Sequence, residues 1–111
     1  YVEILGPKKN LTIYIKDSFC GLANLKVATG IQGKVLTYMS NGLPVICSRK
    51  VSINFGNSVL DFEDNEELIR RLIDLKKNKL KSNNLSKKSI RFSKKMYWKN
   101  IGNKYFKLLN F

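Results

Sequence analysis

Residues 30–48, GIQGKVLTYMSNGLPVICS, decide how this chain folds. A glycine opens a run in which Ile31, Val35, Leu36 and Met39 recur at i, i+4, i+5 and i+8, a spacing that gathers apolar side chains on one side of a helix. Gln32, Lys34 and Thr37 fall on the other side. The helix predicted over 31–40 stops at Asn41-Gly42, because glycine enters the left-handed conformation of a helix C-terminus without steric cost, and Pro44 blocks continuation. Residues 43–47 are therefore extended. A near-continuous apolar strand of this kind is buried on both faces, as in a parallel sheet.

Upstream, 1–6 (YVEILG) alternates apolar and polar residues and stops at Gly6-Pro7, a strand followed by a turn. Leu11, Ile13, Tyr14 and Ile15 suggest a short helix, 19–24 (FCGLAN) a short apolar strand, and 25–29 a loop. Downstream, a polar loop holds Arg49 and Lys50, and 58–62 (SVLDF) reads as another strand. Asp64 stands three residues before Glu67, a capping box, and Leu68, Ile69, Leu72, Ile73 and Leu75 follow at helical spacing. The lysine- and asparagine-rich 76–89 reads as a loop with a short helix. From about Lys95, Trp98, Ile101, Tyr105 and Leu108 form an apolar stripe on a basic terminal helix. Short strands alternating with helices predict an α/β chain with a short parallel sheet flanked by helices. Three or four strands are about half of a doubly wound domain, so the sheet is expected to lack a neighbour.

The composition agrees with one folded domain and excludes several chemistries. A chain of 111 residues closes a single core that buries roughly 65% of its extended surface, and 43% hydrophobic residues supply that core. No apolar run approaches the roughly 20 residues that cross a bilayer. The first residue is Tyr1, which suggests that the chain begins partway through a longer protein. Cys20 and Cys47 sit in apolar segments and read as packing residues. With no histidine and no CxxC, a histidine- or cysteine-based metal site and an imidazole base are both set aside. The net charge is +13; all eight acids lie at or before Asp74, and twelve of the 21 basic residues follow it. The stretch 76–111 is thus a basic helical tail. It reads either as a binding surface for nucleic acid, anionic lipid or phosphorylated substrate, or as a lysine-rich solvated face.

Gly30-Ile31-Gln32-x-Lys34-Val35-Leu36-x-Tyr38-Met39-Ser40-x-Gly42-Leu43-Pro44-Val45-Ile46 resembles the donor-binding segment of the group 1 (GT-B class) nucleotide-sugar glycosyltransferases, which show G-I-Q-x-K-x-L-E-Y-M-A-x-G-x-P-V-I there. Asp64-x-Glu66-Glu67-Leu68 is similar to the family's last amphipathic helix. Phe92-Ser93 with Trp98, Tyr105, Leu108 and Leu109 is similar to its terminal F-S-W…Y…L-L pattern. The resemblance implies that 1–111 is the C-terminal portion of a Rossmann-like donor-binding domain, with its first strands and the N-terminal acceptor domain lying elsewhere. It implies a diphosphate held at Gly30, Ile31, Gln32 and Gly33, where a glycine-opened helix offers free N–H groups and the positive end of its dipole. Lys34 either adds a charge near those phosphates or lies outward in water. Thr29 and Thr37 occupy the positions of the two glutamates that face donor sugar and ribose in fuller members. A threonine hydroxyl binds ribose without the charge assistance of a carboxylate.

The function expected is transfer of a sugar from a nucleotide diphosphate to a carbohydrate or lipid-linked acceptor, with no metal, the chain alone being inactive. Catalytic residues are not identified. The expected partners are the nucleotide-sugar and the missing N-terminal domain or a second copy of the chain. The expected location is cytoplasmic, with the basic helix resting on an anionic inner membrane surface. The alternatives are a basic nucleic-acid-binding or membrane-surface module and a non-catalytic homologue. Nucleic acid is disfavoured because no RNP, KH or helix-turn-helix signature is present.

Overall fold

A computed structural model describes Ile4, Gly6, residues 12–26 and residues 33–96. The elements run α1 (Thr12–Lys16), β1 (Gly21–Ala23), α2 (Gly33–Ser40), β2 (Val45–Ser48), α3 (Arg49–Ser52), a 3₁₀ turn (Gly56–Ser58), β3 (Leu60–Phe62), α4 (Asn65–Lys77) and α5 (Lys79–Lys95). The strands form one parallel sheet in the order β1-β2-β3, with Leu22 beside Ile46 and Cys47 beside Asp61. The chain is α/β, and the parallel sheet flanked by helices is compatible with a Rossmann-like fold. No helix among the described residues is long and apolar enough to cross a membrane.

The central strand carries the fold. All four residues of β2 are buried, as expected of an apolar strand with a neighbour on each edge and helices on each face. Its side chains alternate between two cores. Val45 and Cys47 join Ala23, Val35 and Met39 from β1 and α2, with Val51, Phe55 and Val59 from the β2–β3 connection. Ile46 points the other way, to Phe62, Leu75 of α4 and Leu85 of α5. The helix stop before β2 is a Schellman motif: Leu43 N–H donates to Tyr38 O at 3.1 Å and Gly42 N–H to Met39 O at 3.0 Å, with Gly42 at φ +77°.

The two C-terminal helices are separated at Asn78. Asp64 caps α4 by accepting from Glu67 N–H at 2.8 Å. Asn78 leaves helical geometry at φ −107° and ψ 91°, donates its N–H to Asp74 O, and caps α5 by accepting from Lys81 N–H at 3.0 Å. Helix α5 then packs on α2 through small hydroxyl residues. Ser86 Oγ donates to Gly42 O, and fully buried Ser89 donates to Leu43 O at 2.7 Å. Phe92 meets Phe55 with ring centroids 5.2 Å apart. Helix α5 therefore crosses the amino end of the sheet, touching the turn before β2 and the turn before β3.

Several sequence expectations change. Ile4 is exposed and outside any strand, so the strand over 1–6 is absent at that position; Gly6 does turn, at φ +73°. Arg49 and Lys50 open α3 rather than lying in a loop. Nearly all of 76–89 is helical, and Lys95 ends α5 rather than starting a new helix. Its inner face mixes Leu85 and Phe92 with Ser86, Ser89 and Ser93, and the serines carry little hydrophobic signal. Trp98, Ile101, Tyr105, Leu108 and Leu109 lie outside the described residues.

Candidate functional site

In open α/β sheets, ligands sit beyond the carboxyl ends of the strands, where loops diverge and helices begin. Here β1 ends at Ala23, β2 at Ser48 and β3 at Phe62, and the residues that follow each strand enclose a cleft of about 400 Å³. Asn24, Leu25 and Lys26 come from β1, Arg49 and Lys50 from β2, and Phe62 and Glu63 from β3. A larger depression of about 510 Å³ lies at the amino end of the sheet, between β3 and α5. Topology favours the cleft as the site.

The cleft is braced by a buried hydroxyl. Ser48 Oγ donates to Leu25 O at 2.7 Å and accepts from Leu25 N–H at 3.2 Å, tying the segment after β1 to the end of β2. Both backbone groups of Leu25 are thereby satisfied, and Lys26 is held at the mouth. The three cations of the cleft differ in state. Arg49 is gripped by three carboxylates, with Nη1 at 2.8 Å from Glu63, Nη2 at 3.3 Å from Glu67 and Nε at 3.4 Å from Asp61. Glu63 foremost raises the Arg49 pKa; desolvation opposes it, and Asp61 and Glu67 add to the rise. Asp61 is shared with Arg71, whose Nη2 lies 3.6 Å away and whose Nε donates to Asp61 O at 3.1 Å. Lys26 and Lys50 are exposed and have no carboxylate against them among the described residues. The cleft offers an anion two available ammonium groups, with Arg49 committed to its carboxylates.

Of the residues the sequence singles out, Thr29, Gly30, Ile31 and Gln32 lie outside the described residues. Gly33 is the first residue of α2, and a Cβ placed there would meet nothing within 4 Å. Lys34 and Thr37 lie one turn apart on the exposed side of α2. The Thr37 hydroxyl donates to Gly33 O at 3.1 Å, which turns it back onto its own helix. Thr37 also lines a shallow groove of about 260 Å³ with Leu36, Ser40, Ser93 and Met96. Neither Lys34 nor Thr37 is among the described residues lining the cleft. The sequence places 24–30 and 48–50 beyond the carboxyl ends of two strands, but does not single out Lys26 or show the Ser48 clamp. The available signal was positional, since Lys26 and Ser48 stand at the carboxyl ends of two predicted strands.

The cysteines offer no nucleophile. Burial raises the Cys20 thiol to about 11, and burial together with the charge of Asp61 raises Cys47 to about 12, so both are protonated at neutral pH. Among the described residues no group of three or more Cys, Asp or Glu is placed to hold a metal ion.

Fold and site together define an α/β chain with a polar, cation-bearing cleft at the carboxyl end of a parallel sheet. No protein-family model matches the chain, and no curated protein or solved structure matches it.

Proposed function

We propose that the chain is the nucleotide-sugar-binding portion of a glycosyltransferase that moves a sugar from a nucleoside diphosphate to a carbohydrate or lipid-linked acceptor. One observation carries the reading: the cleft lies where open α/β sheets take ligands, and Lys26 after β1 and Lys50 after β2 both face it. The segment 30–46 supports the same reading through its resemblance to the donor-binding segment. In this scheme the diphosphate is the leaving group. Lys26 and Lys50 stabilise the charge that develops on it, which requires no histidine and no cysteine thiolate. Ser48 keeps the β1 segment, and so Lys26, in place. In the family that 30–46 resembles the acceptor site lies in a second domain, and residues 1–111 supply the donor side. A specific observation favours the non-catalytic variant of this reading: the Thr37 hydroxyl is bonded to Gly33 O, leaving ribose without a carboxylate at that position.

The test is an NMR titration with UDP, GDP and their sugar conjugates. A saturable response centred on residues 24–26 and 49–50 for one base, weakened about tenfold by Lys26→Ala or Lys50→Ala, is the expected outcome, tenfold being about 1.4 kcal/mol. A folded chain that gives no response to any nucleotide at millimolar concentration overturns the proposal.

A further inference from the structure

Helix α5 carries Lys79, Lys81, Lys87, Lys88, Arg91, Lys94 and Lys95 and no acidic residue. Its inner side is fixed: Leu85, Ser89 and Ser93 are buried, and Ser86 and Ser89 donate to carbonyls of the turn before β2. Lys81 is paired with Asp74. Among the described residues no carboxylate pairs with Lys87, Lys88, Arg91 or Lys95, which lie within nine residues, or about 12 Å of helix axis. At the 100° step of a helix, Lys87, Arg91 and Lys95 share the outward side with Leu80, which is 72% exposed. The fold thus holds an array of cations on the outward side of one helix, with an aliphatic side chain among them.

We infer that the outer face of α5 is a docking surface for an anionic lipid bilayer. The charge complement is a polyanion, and the side chains select which one. Single-stranded nucleic acid is bound with aromatic side chains as stacking platforms, whereas the one aromatic of α5 among the described residues, Phe92, is packed on Phe55. An array of lipid headgroups needs no such platform. Clusters of four to eight Lys or Arg on a helix suffice for such a surface, and Leu80 adds an apolar contact at its level. The helix is already folded and pinned, so docking requires no ordering of α5. It spans the amino end of the sheet, and a bilayer there leaves the cleft at the carboxyl end open.

The test is co-sedimentation of the full chain with phosphatidylcholine vesicles containing 0 or 30% phosphatidylserine, at low, physiological and high salt. Binding is expected only with phosphatidylserine and is expected to fall as salt rises, because the screening length shrinks from about 30 Å at 0.01 M to about 3 Å at 1 M. Each cation near an anionic surface contributes about fivefold in partitioning, so Lys87→Gln with Arg91→Gln should weaken binding roughly 30-fold. Lys26→Gln with Lys50→Gln removes the same charge from the other end and should change it little. Circular dichroism melts establish that both variants remain folded. Equal losses in the two double variants would show unspecific adsorption by net charge and overturn the inference. Absence of vesicle binding, or tighter binding to a single-stranded or duplex oligonucleotide at matched salt, would overturn it as well.

Discussion

The tightest joint in the fold is the contact of β1 with α2, and Gly21→Ala tests it. Gly21 is buried at the start of β1, donates its N–H to Pro44 O at 2.9 Å and lies beneath Tyr38. A Cβ there would stand 2.4 Å from Tyr38 Cδ2, 2.5 Å from Cγ and 2.9 Å from Cβ. Rotation about χ1 can swing the ring away but cannot move the Tyr38 Cβ, which the helix backbone fixes. Restoring an ordinary contact of 3.4 Å therefore requires α2 to lift by about 0.5 Å. Val35 and Met39, both fully buried on the same helix, would be drawn out of contact with it. Overpacking of this kind costs about 1–3 kcal/mol, and the upper end applies because backbone must move. The alanine returns about 0.4–1 kcal/mol by restricting the unfolded chain, leaving a net loss of about 2 kcal/mol. For a chain of this size that is a fall in Tm of roughly 8 °C, read by circular dichroism. Tyr38→Ala removes the two closest contacts, so the double variant should be at least about 1 kcal/mol more stable than additivity gives. A Gly21→Ala chain melting within about 2 °C of the parent, or strictly additive losses in the cycle, would refute the reasoning.

Two further predictions rest on buried groups. Ser89→Ala removes the donor to Leu43 O at 2.7 Å and leaves a buried carbonyl without that partner, so the urea midpoint should fall by the equivalent of about 1–2 kcal/mol; an unchanged midpoint would mean that α5 is not seated as described. For Cys47, burial lifts the folded thiol from 9.0 to about 12, so the folded state holds a proton that the unfolded state releases. Its contribution is fully present below pH 9 and is lost as pH rises toward 12, amounting to about 2 kcal/mol by pH 10.5. The Tm difference between pH 8 and pH 10.5 should accordingly be smaller in Cys47→Ala than in the parent, and equal differences in the two would contradict the burial argument.

Elements whose cause is local were legible in the sequence. Pro44 and the apolar run after it could only be an extended, doubly buried strand, and Asp64 with Glu67 marked the start of α4 within one residue. Helix α5 was hidden because much of its inner face is hydroxyl, with Leu85 and Phe92 as its main hydrocarbon contacts. Ser86, Ser89 and Ser93 recur at i, i+3 and i+7, but serine at such positions becomes core only if carbonyls wait opposite, and those of Gly42 and Leu43 are contributed by a turn some 45 residues away. At the candidate site, Lys34 and Thr37 were read on the polar side of one helix, and both are exposed there. The sequence could not show that Thr37 bonds back to Gly33 O, nor that Ser48 clamps Leu25, since both depend on side-chain direction.

The sorting of cations is the larger point that composition hides. The sequence shows a charge of +13 weighted toward a basic tail over 76–111, with Arg49 and Lys50 as equivalent loop charges. In the fold the acids are matched to particular cations: Asp61, Glu63 and Glu67 converge on Arg49 at the cleft, Asp61 also meets Arg71, and Asp74 holds Lys81. Among the described residues this leaves Lys26 and Lys50 at the carboxyl end, and Lys87, Lys88, Arg91 and Lys95 of α5 at the amino end, without a carboxylate partner. At physiological ionic strength a charge is felt over about 8 Å, less than the length of a short strand with its flanking turns. The two regions therefore act as separate fields, and an anion in the cleft and a surface against α5 can be bound at once without competing for the same cations.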